Sequence, residues 1–188
     1  MNYQLLQERL VFDHVFQIKK AKIKYDLFNA GSMEVERYCF ERGDSVAIVI
    51  YEKDTDCLLF TKQFRYPTIK EGDGWILELT AGSIEADEDP EHRVKKEVEE
   101  EIGYKLNELD FISSFFVSPG GSSERIFLYY AEVHSYDKIF KGGGLITEKE
   151  DIQLVKIPVQ EVRKHIKNNP FRDAKTIIGI QWFMSHYM

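Results

Sequence analysis

Residues 93–104, RVKKEVEEEIGY, place four glutamates, Glu97, Glu99, Glu100 and Glu101, within five positions. Carboxylates grouped in this way can hold a hard divalent cation, which takes oxygen ligands and relieves their mutual repulsion. They can also coat a solvated helix, where like charges at i,i+4 cost only about 0.2–0.5 kcal/mol per pair. Asp89 is a good N-cap, Pro90 suits the first turn, Glu91 sits at the positive dipole end and Gly103 ends the helix. At about 100° per residue, Val94, Val98 and Ile102 form one stripe, with Glu101 about 20° and Glu97 about 60° from Val94. Glu100 lies further round and Glu99 points away. Glu97 and Glu101 therefore face the rim of the core. Two charges about 4 Å apart repel by roughly 4 kcal/mol at an effective dielectric of about 20. A cation, or the neighbouring Lys95 and Lys96, must offset that repulsion, and the helix alone leaves both readings open.

The elements that must position this helix are mostly strands. VFQIKKAKIKYDLF reads as a long half-exposed strand with a register break, and MEVERYCF continues it after the NAGS turn, giving an amino-terminal hairpin. Phe16, Ile18, Ile23, Tyr25 and Leu27 are taken as its apolar face. SVAIVIYE, CLLFTKQFR, WILEL, LDFISSFFVS and RIFLYYAEV are further strands, and helical patterns fall at about 90–103, 158–168 and 171–186. The sum is an α+β chain, with a mixed sheet sandwiched between helices and an amino-terminal antiparallel strand segment ahead of it. Residues 1–42 form that segment and 43–188 the main domain.

Composition narrows the function classes. The 188 residues are 43% hydrophobic and 13% aromatic, enough for a real core. A net charge of −7 argues against nucleic acid as a partner. Cys39 and Cys57 have no metal-ligand spacing and read as reduced strand residues. No run approaches the length of a membrane span and the amino terminus has no leader pattern, so a soluble cytoplasmic protein is expected.

From Gly82 to Tyr104 the chain reads G-x5-E-x7-K-E-V-E-E-E-I-G-Y. This resembles the Nudix box, G-x5-E-x7-R-E-U-x-E-E-x-G-U with U a bulky apolar residue, and departs from it only at Lys96. The resemblance implies a loop–helix–loop on an α/β/α sandwich that binds Mg²⁺, with Mn²⁺ as a substitute, and cleaves a diphosphate. By position it makes Glu97, Glu101 and the carbonyl of Ala81 metal ligands, and Glu100 a further ligand or water-orienting group. Lysine is a point charge where arginine offers a planar fork, so Lys96 implies charge compensation with looser orientation. Glu88 is either helix-entry charge or support for the metal ligands. Gly82 and Gly103 read as backbone-geometry residues.

KQFRYP, SPGGSSE, KGGGLITEKED and FRDAKT extend the resemblance to the nucleoside-diphosphate-sugar branch of that family, which contains ADP-ribose and GDP-mannose pyrophosphatases. Arg65 could clamp a phosphate through two bonds, or pair on a strand surface. Gly120 and Gly121 suit a flexible loop that a ligand approaches, or a simple turn. Gly142, Gly143 and Gly144 precede acidic residues in what reads as a mobile loop. The resemblance makes Glu150 the carboxylate that closes on the metal or deprotonates water, with Glu148 as competitor. It also places Gly82, Ser83, Glu124 and Lys175, and Arg37 and Tyr38 of the amino-terminal segment, against the substrate. A homodimer is implied, since a long exposed edge strand seeks a partner. The expected reaction is hydrolysis of a nucleoside diphosphate sugar to a nucleoside monophosphate and a sugar phosphate. The rival is a non-catalytic binder or sensor of nucleotide sugars.

Overall fold

The computed structural model describes residues 1–168 and 171–187. Two compact units emerge: residues 1–44 with 116–125, and residues 45–115 with 126–188.

In the first unit, β1 (Tyr3–Asp13), β2 (Gln17–Asp26) and β3 (Ser32–Glu41) form an antiparallel sheet in that order. The sequence pattern misses β1 because register shifts at Leu5/Gln7 and Leu10/Phe12 interrupt its alternation. The expected break within β2 is absent from its pairing with β3, which runs unbroken from Gln17↔Glu41 to Asp26↔Ser32. Period-two geometry then puts Ile18 on one face and Ile23 and Tyr25 on the other. The single apolar face drawn from the sequence is thus divided between two. The SPGGSSE segment is pinned to β3: Phe40 N–H donates to Gly121 O at 2.8 Å and Ser123 N–H to Phe40 O at 3.1 Å. Arg42 N–H donates to Ser123 Oγ at 3.0 Å.

The second unit carries β4 (Asp44–Glu52), β5 (Cys57–Phe64), β6 (Trp75–Glu78), β7 (Thr80–Ser83), β8 (Asp110–Phe116), β9 (Arg125–Val133) and β10 (Gln153–Pro158). Their order is β10-β5-β4-β9-β8, with β6 beside β5 and β7 beside β4. The helices are α1 (Pro90–Glu101), α2 (Val159–Asn168) and α3 (Ala174–Tyr187). Alternation along β4 and β9 divides the core in two. Ala47, Val49, Leu128 and Tyr130 pack with Val162, Ile180 and Phe183 of α2 and α3. Val46, Ile48, Ile50, Tyr129 and Ala131 pack with Val94 and Val98 of α1, and with Ile102 and Tyr104 beyond it. The sheet is therefore covered on both faces, as the α/β/α expectation requires. β7 and β10, unread in the sequence, are four and six residues long and contain Gly82 or end in Pro158, so little periodicity marks them.

Candidate active site

The box helix forms as its sequence dictates. Asp89 Oδ2 accepts from His92 N–H at 2.9 Å, and Pro90 is the first helical residue. Past its end, Gly103 adopts φ +83° and donates to Val98 O at 2.9 Å. Val94 and Val98 are fully buried, and Glu97 and Glu101 beside them are only 4% and 2% exposed. These two carboxylates face inward.

Their partners differ. Glu97 Oε1 accepts from Arg93 Nη2, one turn earlier on the same helix and also buried. Lys96 is exposed and pairs instead with Glu100, at 3.6 Å. The compensation expected from Lys96 is therefore supplied to Glu97 by Arg93, and by a guanidinium. The i,i+4 spacing of Arg93 and Glu97 is a signal present in the sequence. Glu101 Oε2 is buried with no hydrogen-bond partner. Burial, then the fields of Glu97, Glu150 and Glu78, push the Glu101 carboxyl well above the ordinary range. Burial also raises Glu97, against the opposing pull of Arg93.

Gly82 proves to be a matter of space. Its φ is not left-handed, yet a Cβ there would lie 2.7 Å from Glu97 Cγ and overlap the carboxylate outright. The bare backbone of β7, next to Ala81, is what admits the Glu97 side chain. Ser83 ends the same strand, exposed. Glu88 Oε2 accepts from Glu85 N–H at 3.2 Å and Oε1 lies 3.7 Å from His92, which places it at the helix entry.

The glycine-rich segment is tied to α1 and its end. Gly143 N–H donates to Glu101 O at 2.8 Å and Gly144 N–H to Glu100 O at 3.0 Å, while Gly142, Gly143 and Gly144 all have positive φ. Glu150 packs on Gly144, where a Cβ would lie 2.6 Å from its own, and its Oε2 accepts from Leu145 N–H at 3.1 Å. Glu150 acts electrostatically on both Glu97 and Glu101, whereas Glu148 is exposed. Where sequence suggested a mobile loop, the backbone is hydrogen-bonded to the end of the box helix.

A basic pair completes the cluster. Glu78 of β6 is 2% exposed; its Oε1 accepts from Arg65 Nε at 2.7 Å and its Oε2 from Lys175 Nζ at 2.6 Å. Lys175 also pairs with Asp173 at 3.0 Å. Burial works against the charge on Lys175, but Glu78 and Asp173 outweigh it and raise its pKa. Asp173 caps α3 through Thr176 N–H at 3.0 Å, and Thr176 Oγ1 accepts from Leu79 N–H at 2.9 Å. The FRDAKT segment thus stitches the start of α3 to the strand that leads into the box. Glu78 was missed in the sequence, although a charge inside the otherwise apolar WILEL is a readable signal.

Arg37, Tyr38 and Glu124 belong to the first unit. Arg37 donates to Glu36 O at 3.0 Å, Lys20 lies 5.5 Å over the Tyr38 ring, and Glu124 pairs with Arg42 at 3.7 Å. Arg37 and Tyr38 are consecutive in β3 and point to opposite faces. One face of that strand cannot present both.

Among the described residues, no three His, Cys, Asp or Glu side chains stand close enough together to share one ion. Glu97 is turned to Arg93 and Glu150 to the Leu145 amide. The donor set nevertheless fits a hard divalent cation. It is made of carboxylate oxygens, it holds more buried negative charge than its neighbours offset, and one oxygen of Glu101 is unpartnered.

The fold and this box helix define a Nudix hydrolase, and the chain belongs to that family: the NUDIX domain model matches residues 41–177. It is 31% identical to a GDP-mannose pyrophosphatase of Cronobacter sakazakii over 185 residues, 96% of this chain and 94% of the relative. A GDP-mannose pyrophosphatase of Pectobacterium atrosepticum is also 31% identical, over 94% of this chain and 91% of its own. The crystal structure of an ADP compounds hydrolase superposes with a TM-score of 0.75 over 98% of this chain and 96% of that one. At 18% identity, this last likeness speaks for the fold alone. Among the described residues no helix is long and apolar enough to cross a membrane.

Proposed function

We propose that the protein hydrolyses the diphosphate of a nucleoside diphosphate sugar, of the GDP-mannose or ADP-ribose type, to a nucleoside monophosphate and a sugar phosphate. The observation that carries this reading is the buried, underneutralised Glu97–Glu101 pair on the box helix, with the cations Arg65 and Lys175 gathered on Glu78. Arg65 interacts electrostatically with Glu101, so the two groups share one neighbourhood. The full-length similarity to GDP-mannose pyrophosphatases supports the substrate class.

Glu97, Glu101, Glu150 and the Ala81 carbonyl would hold Mg²⁺, or Mn²⁺ in its place. When bound, the cation would supply Lewis acidity toward the diphosphate oxygens and charge neutralisation. Arg65 keeps its terminal guanidinium nitrogens for the diphosphate while its Nε is engaged by Glu78. Lys175 adds a second positive charge beside it. Glu150, held by the Leu145 amide through one oxygen, accepts a proton from the attacking water with the other. Glu100, at the margin of the cluster, orients that water. Gly82 and Ser83 border the ligand along β7; Glu124 is assigned to the sugar, and of Arg37 and Tyr38, on opposite faces of β3, only one can serve the base. The exposed apolar residues of β1, among them Leu5, Leu10 and Phe12, support a homodimer in which residues 1–42 border the partner's pocket. The two free cysteines accord with a cytoplasmic setting.

Phosphorus NMR of the products from GDP-mannose, ADP-ribose, ADP-glucose and a dinucleoside polyphosphate, with Mg²⁺ and with EDTA, tests the reading. Mg²⁺-dependent conversion of a nucleotide sugar to two monophosphates is expected. Inertness toward the whole panel would overturn it.

A further inference from the structure

A buried carboxylate, such as Glu78 at the end of β6, is costly unless it is paired, and replacing a buried ion cluster by apolar residues of similar volume is often neutral or stabilising. Folding alone therefore does not call for Glu78 in WILEL. What its burial achieves is geometric. Each oxygen engages one cation, Oε1 with Arg65 at 2.7 Å and Oε2 with Lys175 at 2.6 Å, so a single side chain fixes both. The two cations come from distant parts of the chain, the end of β5 and the first turn of α3.

The bonds also leave donors unspent. A guanidinium has five N–H groups and an ammonium three. Arg65 gives Nε–H to Glu78, and among the described residues no hydrogen bond occupies its terminal nitrogens. Its side chain is 42% exposed, against 11% for Lys175. Lys175 spends one donor on Glu78 and one on Asp173, which leaves a third. Two fixed cations with spare donors, beside an acidic cluster that carries its own field, match a ligand with two adjacent phosphates. Holding them in place beforehand removes the ordering cost from the binding step.

Resting on the diphosphate chemistry proposed above, we infer that Glu78 is a positioning residue for diphosphate recognition. It touches no substrate; its buried carboxylate presets Arg65 and Lys175 as one clamp. Glu78→Gln keeps the volume but loses the charge, and its amide nitrogen faces one of the two cations.

The test is calorimetric binding of inorganic pyrophosphate in EDTA, together with KM and kcat on whichever panel substrate is turned over. Glu78→Gln is expected to weaken pyrophosphate at least tenfold and to raise KM more than it lowers kcat, with a thermal midpoint near that of the wild type. In a Lys175→Gln background, the same change should weaken affinity by a smaller factor than in the wild type, because only Arg65 is then left for Glu78 to preset. Wild-type affinity in Glu78→Gln, a loss expressed only in kcat, or full additivity with Lys175→Gln would overturn the inference. So would a wild-type protein that does not bind pyrophosphate. If Glu78→Gln does not fold, Glu78→Asp takes its place: the charge remains but the reach is one methylene shorter, and unchanged pyrophosphate affinity would refute the clamp. Because this arm needs no turnover, a protein inert toward the panel would defeat the functional reading while leaving Glu78 to be decided by binding.

Discussion

Gly82→Ala isolates the packing on which the site depends. The Gly82 backbone lies outside the left-handed region, so alanine suits it conformationally. The added Cβ, however, would come within 2.7 Å of Glu97 Cγ and overlap the carboxylate. Glu97 must then leave its place, and its pairing with Arg93 goes with it. Overpacking of this kind costs about 1–3 kcal/mol. In a Glu97→Ala background the colliding atoms are gone, and a glycine replaced at a compatible backbone gains about 0.4–1 kcal/mol from the unfolded chain. The sign of the effect should therefore reverse between the two backgrounds, with a coupling of about 1.4–4 kcal/mol. Urea unfolding of wild type, both single variants and the double variant in EDTA measures it. Turnover with Mg²⁺ should be lost in Gly82→Ala, because Glu97 is displaced. Equal destabilisation in both backgrounds would show that Gly82 is needed for its backbone and not for the space above it.

Glu101→Gln should nearly abolish Mg²⁺-dependent turnover without lowering the unfolding midpoint in EDTA, since it removes a buried charge with an unpartnered oxygen; activity within threefold of wild type would refute the metal assignment. Glu150→Gln should lower kcat far more than it raises KM, whereas Glu148→Gln, on an exposed side chain, should be mild, and the opposite ranking would move the role to Glu148. Tyr104→Phe should cost about 1–3 kcal/mol, because its buried hydroxyl donates to Glu52 Oε1 at 2.5 Å. Burial opposes ionisation of Glu52, but its bonds from Lys156, Thr55 and Tyr104 prevail and lower its pKa. That contribution is present above the ordinary glutamate value of about 4.3 and lost as the pH falls through the lowered one, so Glu52→Gln should flatten the acid limb of a stability–pH curve. Light scattering of the full chain should give a dimer, and Leu10→Lys with Phe12→Lys on β1 should shift it toward monomer; a wild-type monomer would remove the proposed pocket border.

The box helix was legible because its determinants are local. Asp89, Pro90, the Val94–Val98–Ile102 stripe and Gly103 each act within a few residues, and the 3.6-residue period alone turns Glu97 and Glu101 inward. β4, β5 and β9 were legible for a similar reason, as apolar runs bounded by polar turns. β1 was not, since bulges destroy the alternation by which a strand is recognised, and β7 and β10 are too short or too interrupted to show it. The partners of the site were decided by tertiary structure. Arg93 is the exception, since its i,i+4 spacing to Glu97 on one helix is local; what the fold decided there is that the pair is buried while Lys96 is left exposed. Why Gly82 is glycine depended on where the Glu97 side chain comes to rest. Glu78 gains its meaning only when α3, 97 residues further along the chain, sets Lys175 against it. A period records which way a side chain points, but contacts between distant segments exist only once the sheet and its two helical layers have closed.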